Sequence, residues 1–276
     1  MRNIVINMNN YFDEFSKILK SALNLQSIYE KNIYSNNEFN KLVELENQIG
    51  VNVNPLQEID KSVASLINSP IHQLLKHLDE YPEKLKHQLI VLGNNGWFMD
   101  LDMPVTFTSR MTQELDNGNH VEAEAGFIEY FKSNLQKISE YLINKHPHRS
   151  KIISSAFFAH FNSFYELSIP VFLAQSDGLC YELIESHYFI KSNKKPSTSR
   201  FVESLIATEY RKALLYPLSV TLPISASVHE RGENFNELNR HQILHGEVVD
   251  YGSEINSLKS ISLLNYISQV LSLVDN

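Results

Sequence analysis

The sequence predicts an all-α protein, a helical bundle built from two helical regions, residues 1–116 and 117–276. Apolar residues recur at three- and four-residue steps through most of the chain, the period of one helix face. The composition, 43% apolar and 20% charged over 276 residues, is enough to build a sizeable core. Only Trp97 to Thr108 reads differently: it carries Pro104 and the strand-favouring run Val105-Thr106-Phe107-Thr108.

In order along the chain, Phe12, Phe15, Ile18, Leu19, Ala22 and Leu25 form the stripe of a first helix, from Tyr11 to about Tyr29. Ile59, Val63, Leu66 and Ile67 form the next. Ser69-Pro70 then starts a helix with Ser as N-cap and Pro in the first turn, its stripe being Ile71, Leu74, Leu75 and Leu78. Pro82 opens another, which Gly93-Asn94-Asn95-Gly96 ends. Trp97 to Thr108 is an extended connector with room for a short strand, and Trp97 and Phe98 are either a recognition patch or a core plug. The second region restarts near Asn119 with Ala125, Ile128, Phe131, Leu135, Ile138 and Leu142 on one face. Ile152 to Ile190 is a long apolar segment in which Pro170 predicts a break. Lys191 to Ser199 is a polar loop, followed by a helix with Phe201, Leu205, Ile206, Tyr210 and Leu214. Pro217 to Glu233 is irregular, and a last helix runs from about Asn256 to Leu273.

Charge and cysteine content narrow the function classes. A net charge of −8 argues against a broad basic surface for nucleic acid but leaves room for a local positive cleft. A single cysteine, Cys180, excludes an internal disulfide and multi-cysteine zinc sites. Its neighbours Leu179, Tyr181 and Leu183 make it a small apolar filler rather than a nucleophile. The start of the chain has no secretory pattern, and no apolar run is long enough for a bilayer, so a cytoplasmic protein without a membrane partner is expected.

Chemistry concentrates in Arg240-His241-Gln242-Ile243-Leu244-His245-Gly246. On one helix His241 and His245 share a face, while Arg240 and His245 project about 140° apart. Glu237, three before Arg240 and four before His241, is placed to orient either. Two imidazoles beside a permanent cation suit phosphodiester chemistry without a metal or other cofactor. Histidine serves as general acid or base, arginine forks onto phosphate, and RNA brings its own nucleophile in the 2′-hydroxyl. A single helix cannot aim all these groups at one phosphate. A two-fold dimer would solve this, with Gly246 permitting close approach at the crossing. His241 and His245 also have the spacing of two helical zinc ligands, with Glu237 or a distant residue as third; no HExxH pattern accompanies them.

The pattern Arg-[Asn/Asp/His]-x-x-x-His, matched by Arg240, His241 and His245, resembles the signature of the HEPN superfamily. Leu238-Asn239 before it and Asp250-Tyr251-Gly252-Ser253-Glu254-Ile255-Asn256 after it resemble the C-terminal end of bacterial HEPN-like proteins, and Ile169 to Gly178 resembles their preceding helix. The resemblance covers about the last half of the chain. It implies a dimerising α-helical bundle and a composite, metal-independent ribonuclease site that leaves a 2′,3′-cyclic phosphate. It also implies a setting in antiphage defence or a toxin–antitoxin pair, with RNA as substrate and room for a regulatory protein partner. On this carry-over Arg240 and His245 are catalytic and His241 supports them; Asn239 and Glu237 are further supporting candidates beside the motif. Asp177 is either a buried partner of Arg240 or a locally bonded helix residue, and Tyr251 either stacks on a base or serves a turn. Some HEPN toxins carry, two residues after the motif histidine, a tyrosine that a partner enzyme modifies; here Glu247 stands there, which argues against that route. The alternative function is a non-catalytic HEPN-like module binding RNA, nucleotide or protein.

Overall fold

The computed structural model describes residues 70–273, with side chains from residue 80. The helices expected before residue 70, and the stripe Ile71, Leu74, Leu75 and Leu78, lie outside the described residues. Contacts divide the chain into Met1–Pro82 and Glu83–Asn276, upstream of the division at 116/117 drawn from sequence. The second unit is all-α. Its helices are α1 (Pro70–Asn94, entering from the first unit), α2 (Val105–Asp116), α3 (His120–Lys145), α4 (Ser150–Phe161), α5 (Tyr165–Ile184), α6 (Ser199–Ser204), α7 (Glu209–Leu215), α8 (Arg240–Leu244) and α9 (Glu254–Leu271). The only sheet among the described residues is a hairpin pairing Lys191–Ser192 (β1) with Lys195–Pro196 (β2). Its two-residue turn, Asn193 and Lys194, has φ of 53° and 64°, the left-handed pair that matches strand twist. Among the described residues no helix is long and apolar enough to cross a membrane.

The core is organised around α9. Every residue from Ser257 to Ser268 is buried, so this helix is the bundle's axis rather than a one-sided amphipathic helix. Its serines let neighbours approach closely and carry their hydroxyls to partners. Ser257 bonds the His160 ring (2.7 Å) and Ser168 (2.9 Å). Ser268 bonds the His146 ring (2.7 Å) and Tyr141 (3.1 Å). Leu258, Ile261, Leu263, Leu264 and Ile267 are fully buried, each contributing about 1.5–3 kcal/mol by burial. α5 packs on α9 through Ile169, Phe172, Leu173, Ser176, Leu179 and Cys180.

Several sequence expectations are corrected here. Val105–Thr108 opens helix α2 instead of a strand: Thr108, Met111, Thr112 and Leu115 form a buried stripe, so packing overrides β propensity. Pro82 lies inside α1 and opens no new helix. In α3 the buried positions are Ala123, Phe127, Phe131, Leu135, Ile138, Ser139 and Leu142, with Ala125 exposed. The face is turned by Trp97, a core residue whose ring lies flat on Phe127 (5.2 Å) and Phe131 (5.5 Å). The long apolar segment breaks not at Pro170 but at Asn162–Phe164, where Ser163 has φ 61°. Pro170 sits inside α5. It cannot donate to the carbonyl of Glu166 four residues earlier, and that carbonyl accepts the Tyr251 hydroxyl at 3.1 Å instead. The single helix expected after Ser199 is two, α6 and α7, separated by Leu205–Thr208.

Candidate functional site

Helix α8 is only five residues long, and its position is decided by Asn239. This residue is 2% exposed. Its Oδ1 accepts from the Gln242 N–H (3.1 Å), capping the helix. Its Nδ2 donates to the carbonyls of Pro223 (2.7 Å) and Ala226 (2.9 Å). The preceding 3₁₀ turn and the motif helix are thus clamped through one buried amide. At the other end Gly246 has φ 70°; its N–H bonds Ile243 and that of Glu247 bonds Gln242, a Schellman cap. A Cβ there would meet nothing within 4 Å. Gly246 therefore serves helix termination and not, within this chain, a close crossing.

Arg240, His241 and His245 come together on this scaffold. His245 is the exposed C-cap, its ring parallel to that of His241 (6.0 Å between centroids, 7° between planes). The Arg240 guanidinium lies over the Phe189 ring at 5.5 Å, and its Nε is shielded from solvent without a hydrogen-bond partner. Among the described residues no carboxylate pairs with Arg240, His241 or His245. Burial, reinforced by Arg240, His245, Lys191 and Arg231, lowers the His241 pKa, so its imidazole is neutral near pH 7. The two outer cations have carboxylate partners: Arg231 pairs with Glu247 (3.1 Å) and Lys191 with Glu230. Desolvation opposes ionisation of Glu230, yet Lys191 and Ser227 hold its pKa down to about 2. Among the described residues of this cluster, Arg240 is therefore the cation that no carboxylate neutralises, on a protein of net charge −8.

Other expected site residues lie elsewhere. Glu237 is exposed and precedes the cap, so helical i,i+4 geometry toward His241 does not apply to it. Asp177 does not pair with Arg240. Its carboxylate accepts from His187 Nδ1 (2.9 Å) and from the Phe189 N–H (3.0 Å). It thereby reaches Arg240 only indirectly, by fixing the residue whose ring lies beneath the guanidinium. Tyr251 spends its hydroxyl on Glu166 and its carbonyl on Asn256 (2.9 Å). Within the Ile169–Gly178 stretch, Gln175 (2.8 Å) and the Gly178 carbonyl (2.9 Å) accept from Arg149, which also bonds Glu182 (2.7 Å). A Cβ on Gly178 would stand 2.6 Å from that guanidinium.

Residues without a sequence signal join the site: Phe189 under Arg240, His187 beside it, and Arg231 and Lys191 around His241. Phe189, His187 and Arg231 lie in irregular chain and Lys191 in a two-residue strand, too short for periodicity to mark a side chain's direction. Burial raises the Cys180 thiol pKa far above its usual range, in keeping with a filler. Among the described residues no group of three or more His, Cys, Asp or Glu is arranged to hold a metal ion. No family model, curated protein or solved structure matches the chain.

Proposed function

We propose that the protein is a metal-independent endoribonuclease whose site is built on Arg240, His241 and His245 and completed by the same residues of a second subunit. One observation carries this reading: a partly buried arginine without a carboxylate partner shares one capped helix with two parallel imidazoles, and the adjacent His241 feels its charge. Such a set is an anion receptor with acid–base groups already in place. The likeness of the motif to the HEPN signature supports the same conclusion.

In this mechanism a histidine removes the proton of the 2′-hydroxyl, and that oxygen attacks the adjacent phosphorus. The bond to the 5′-oxygen breaks; the leaving oxygen takes a proton from an imidazolium, leaving a 2′,3′-cyclic phosphate and a 5′-hydroxyl. Arg240 stabilises the charge that gathers on the phosphoryl oxygens. His241, neutral at pH 7, is suited to accept the proton, and His245, on the solvent side of the same helix end, is placed to serve the leaving oxygen. A setting in antiphage defence or a toxin system belongs to the same proposal.

The test is cleavage of RNA by the full chain in EDTA, with end-group analysis of the product. Arg240→Ala and His245→Ala should each lower cleavage by at least about 100-fold. Mixing the two inactive variants should restore part of the activity if subunits share sites. Cleavage that both substitutions leave intact would sink the proposal. Toxicity on expression that Arg240→Ala abolishes would support the defence setting.

A further inference from the structure

A stacked aromatic pair stands at the C-terminal end of α5, the helix that the motif helix contacts, in a part of the fold that the catalytic reading does not use. The chain reverses at Glu185, a non-glycine residue at φ 52°, whose N–H bonds the Tyr181 carbonyl at 2.9 Å. The reversal lays the His187 ring on that of Tyr181, with centroids 4.7 Å apart and planes 13° from parallel. The Asp177 carboxylate, itself largely buried, holds His187 Nδ1 at 2.9 Å, so the imidazole is oriented from below as well as stacked from the side. Yet Tyr181 remains 55% exposed and the His187 side chain 36% exposed. A core contact would have buried these rings; here two flat π surfaces are fixed in place and left open to solvent.

The same Asp177 also bonds the backbone of Phe189, whose ring lies under Arg240. One carboxylate therefore sets both the aromatic pair and the residue carrying the guanidinium. His187 and Phe189 are two residues apart, which spans at most about 7 Å of chain. Phe189 is itself buried, so what a strand stacked on His187 meets on that side is the guanidinium over it. The pair offers ring faces without a free cation: on α5, Glu182 is neutralised by Arg149, and exposed Glu185 would repel phosphate. The base belongs on the rings and the backbone on the Arg240 side.

We propose that Tyr181 and His187 form a stacking platform for an unpaired base of single-stranded RNA, next to the phosphate held by Arg240. The choice of RNA rests on the ribonuclease reading. A stacked base requires a splayed single strand, since a paired base hides its faces. The platform therefore selects loops and unpaired tails over duplex.

The experiment uses the full chain and a ten-nucleotide 2′-O-methyl oligoadenylate containing one 2-aminopurine, which has no 2′-hydroxyl and cannot be cut by this chemistry. Binding should quench the 2-aminopurine fluorescence, and the same strand in a duplex should bind more weakly. Tyr181→Ala should weaken binding about tenfold and remove the quench, while Tyr181→Phe and Tyr181→Trp should keep both. His187→Ala should fall between them. Tyr181 is exposed, so its truncation should leave the fold intact, and an unchanged urea midpoint checks this. No binding by the wild type, wild-type affinity in Tyr181→Ala, or a Tyr181→Phe variant as weak as Tyr181→Ala would each overturn the platform. A wild type that binds and quenches yet never cleaves ordinary RNA would instead overturn the ribonuclease reading and leave the platform standing.

Discussion

Removing the Asn239 side chain tests how the motif helix is held. Asn239→Ala deletes three hydrogen bonds from a residue that is 2% exposed. Loss of the cap on the Gln242 N–H costs about 1 kcal/mol. The carbonyls of Pro223 and Ala226 lose a buried donor, at about 1 kcal/mol each even if water partly replaces it. The sum, about 3 kcal/mol, corresponds to a rise on the order of 100-fold in the open population of the segment. Amide hydrogen exchange followed by mass spectrometry, on peptides covering 222–228 and 239–248, reads this directly. Asn239→Asp separates the contributions: it preserves the cap acceptor but turns a carboxylate toward two carbonyl oxygens. At neutral pH it should cost at least as much as alanine. Burial beside those oxygens raises the pKa of the new carboxyl, so the deficit should shrink as pH falls and the acid form regains a donor. Exchange in Asn239→Ala within twofold of wild type would refute the clamp.

Three further outcomes follow from the packing. Gly178→Ala should cost about 1–2 kcal/mol, read as a lower urea midpoint, because the new Cβ displaces the Arg149 guanidinium from three partners. In an Arg149→Ala background the same change should be neutral or stabilising, since alanine favours a helix over glycine by about 1 kcal/mol; an equal cost in both backgrounds would reject the contact. His146 and His160 are buried, and desolvation lowers both pKa values below 6.5. The unfolded chain then binds protons that the folded chain refuses. Stability present above pH 6.5 should decline below it by up to about 1.4 kcal/mol per pH unit per histidine, and His160→Gln should flatten that slope in urea titrations at several pH values. Tyr251→Phe should lower stability by about 0.5–1 kcal/mol through the orphaned Glu166 carbonyl, with RNA cleavage unchanged. A selective loss of cleavage would return Tyr251 to the substrate.

The helical class was legible because a 3.6-residue period shows wherever one face of a helix is apolar, as in α3 and α9. The motif was legible for a different reason: its residues fall within one short run of sequence and are of the right chemical type. Periodicity could not tell that α9 is buried on every side, because serines complete its surface and read as polar until His160, Ser168 and His146 are brought against their hydroxyls. Nor could propensity reveal that Pro170 would be tolerated, since the hydroxyl that serves the vacated Glu166 carbonyl comes from Tyr251, 85 residues from that carbonyl. The same distance in sequence explains the site. Sequence alone determined that Arg240, His241 and His245 lie together, because one short helix joins them. Only the tertiary structure decided that Asp177 turns to His187 and Phe189, that Phe189 lies beneath Arg240, and that Asn239 clamps the helix. These depend on where an irregular stretch of chain folds back, which contacts distant in sequence determine and no local pattern encodes.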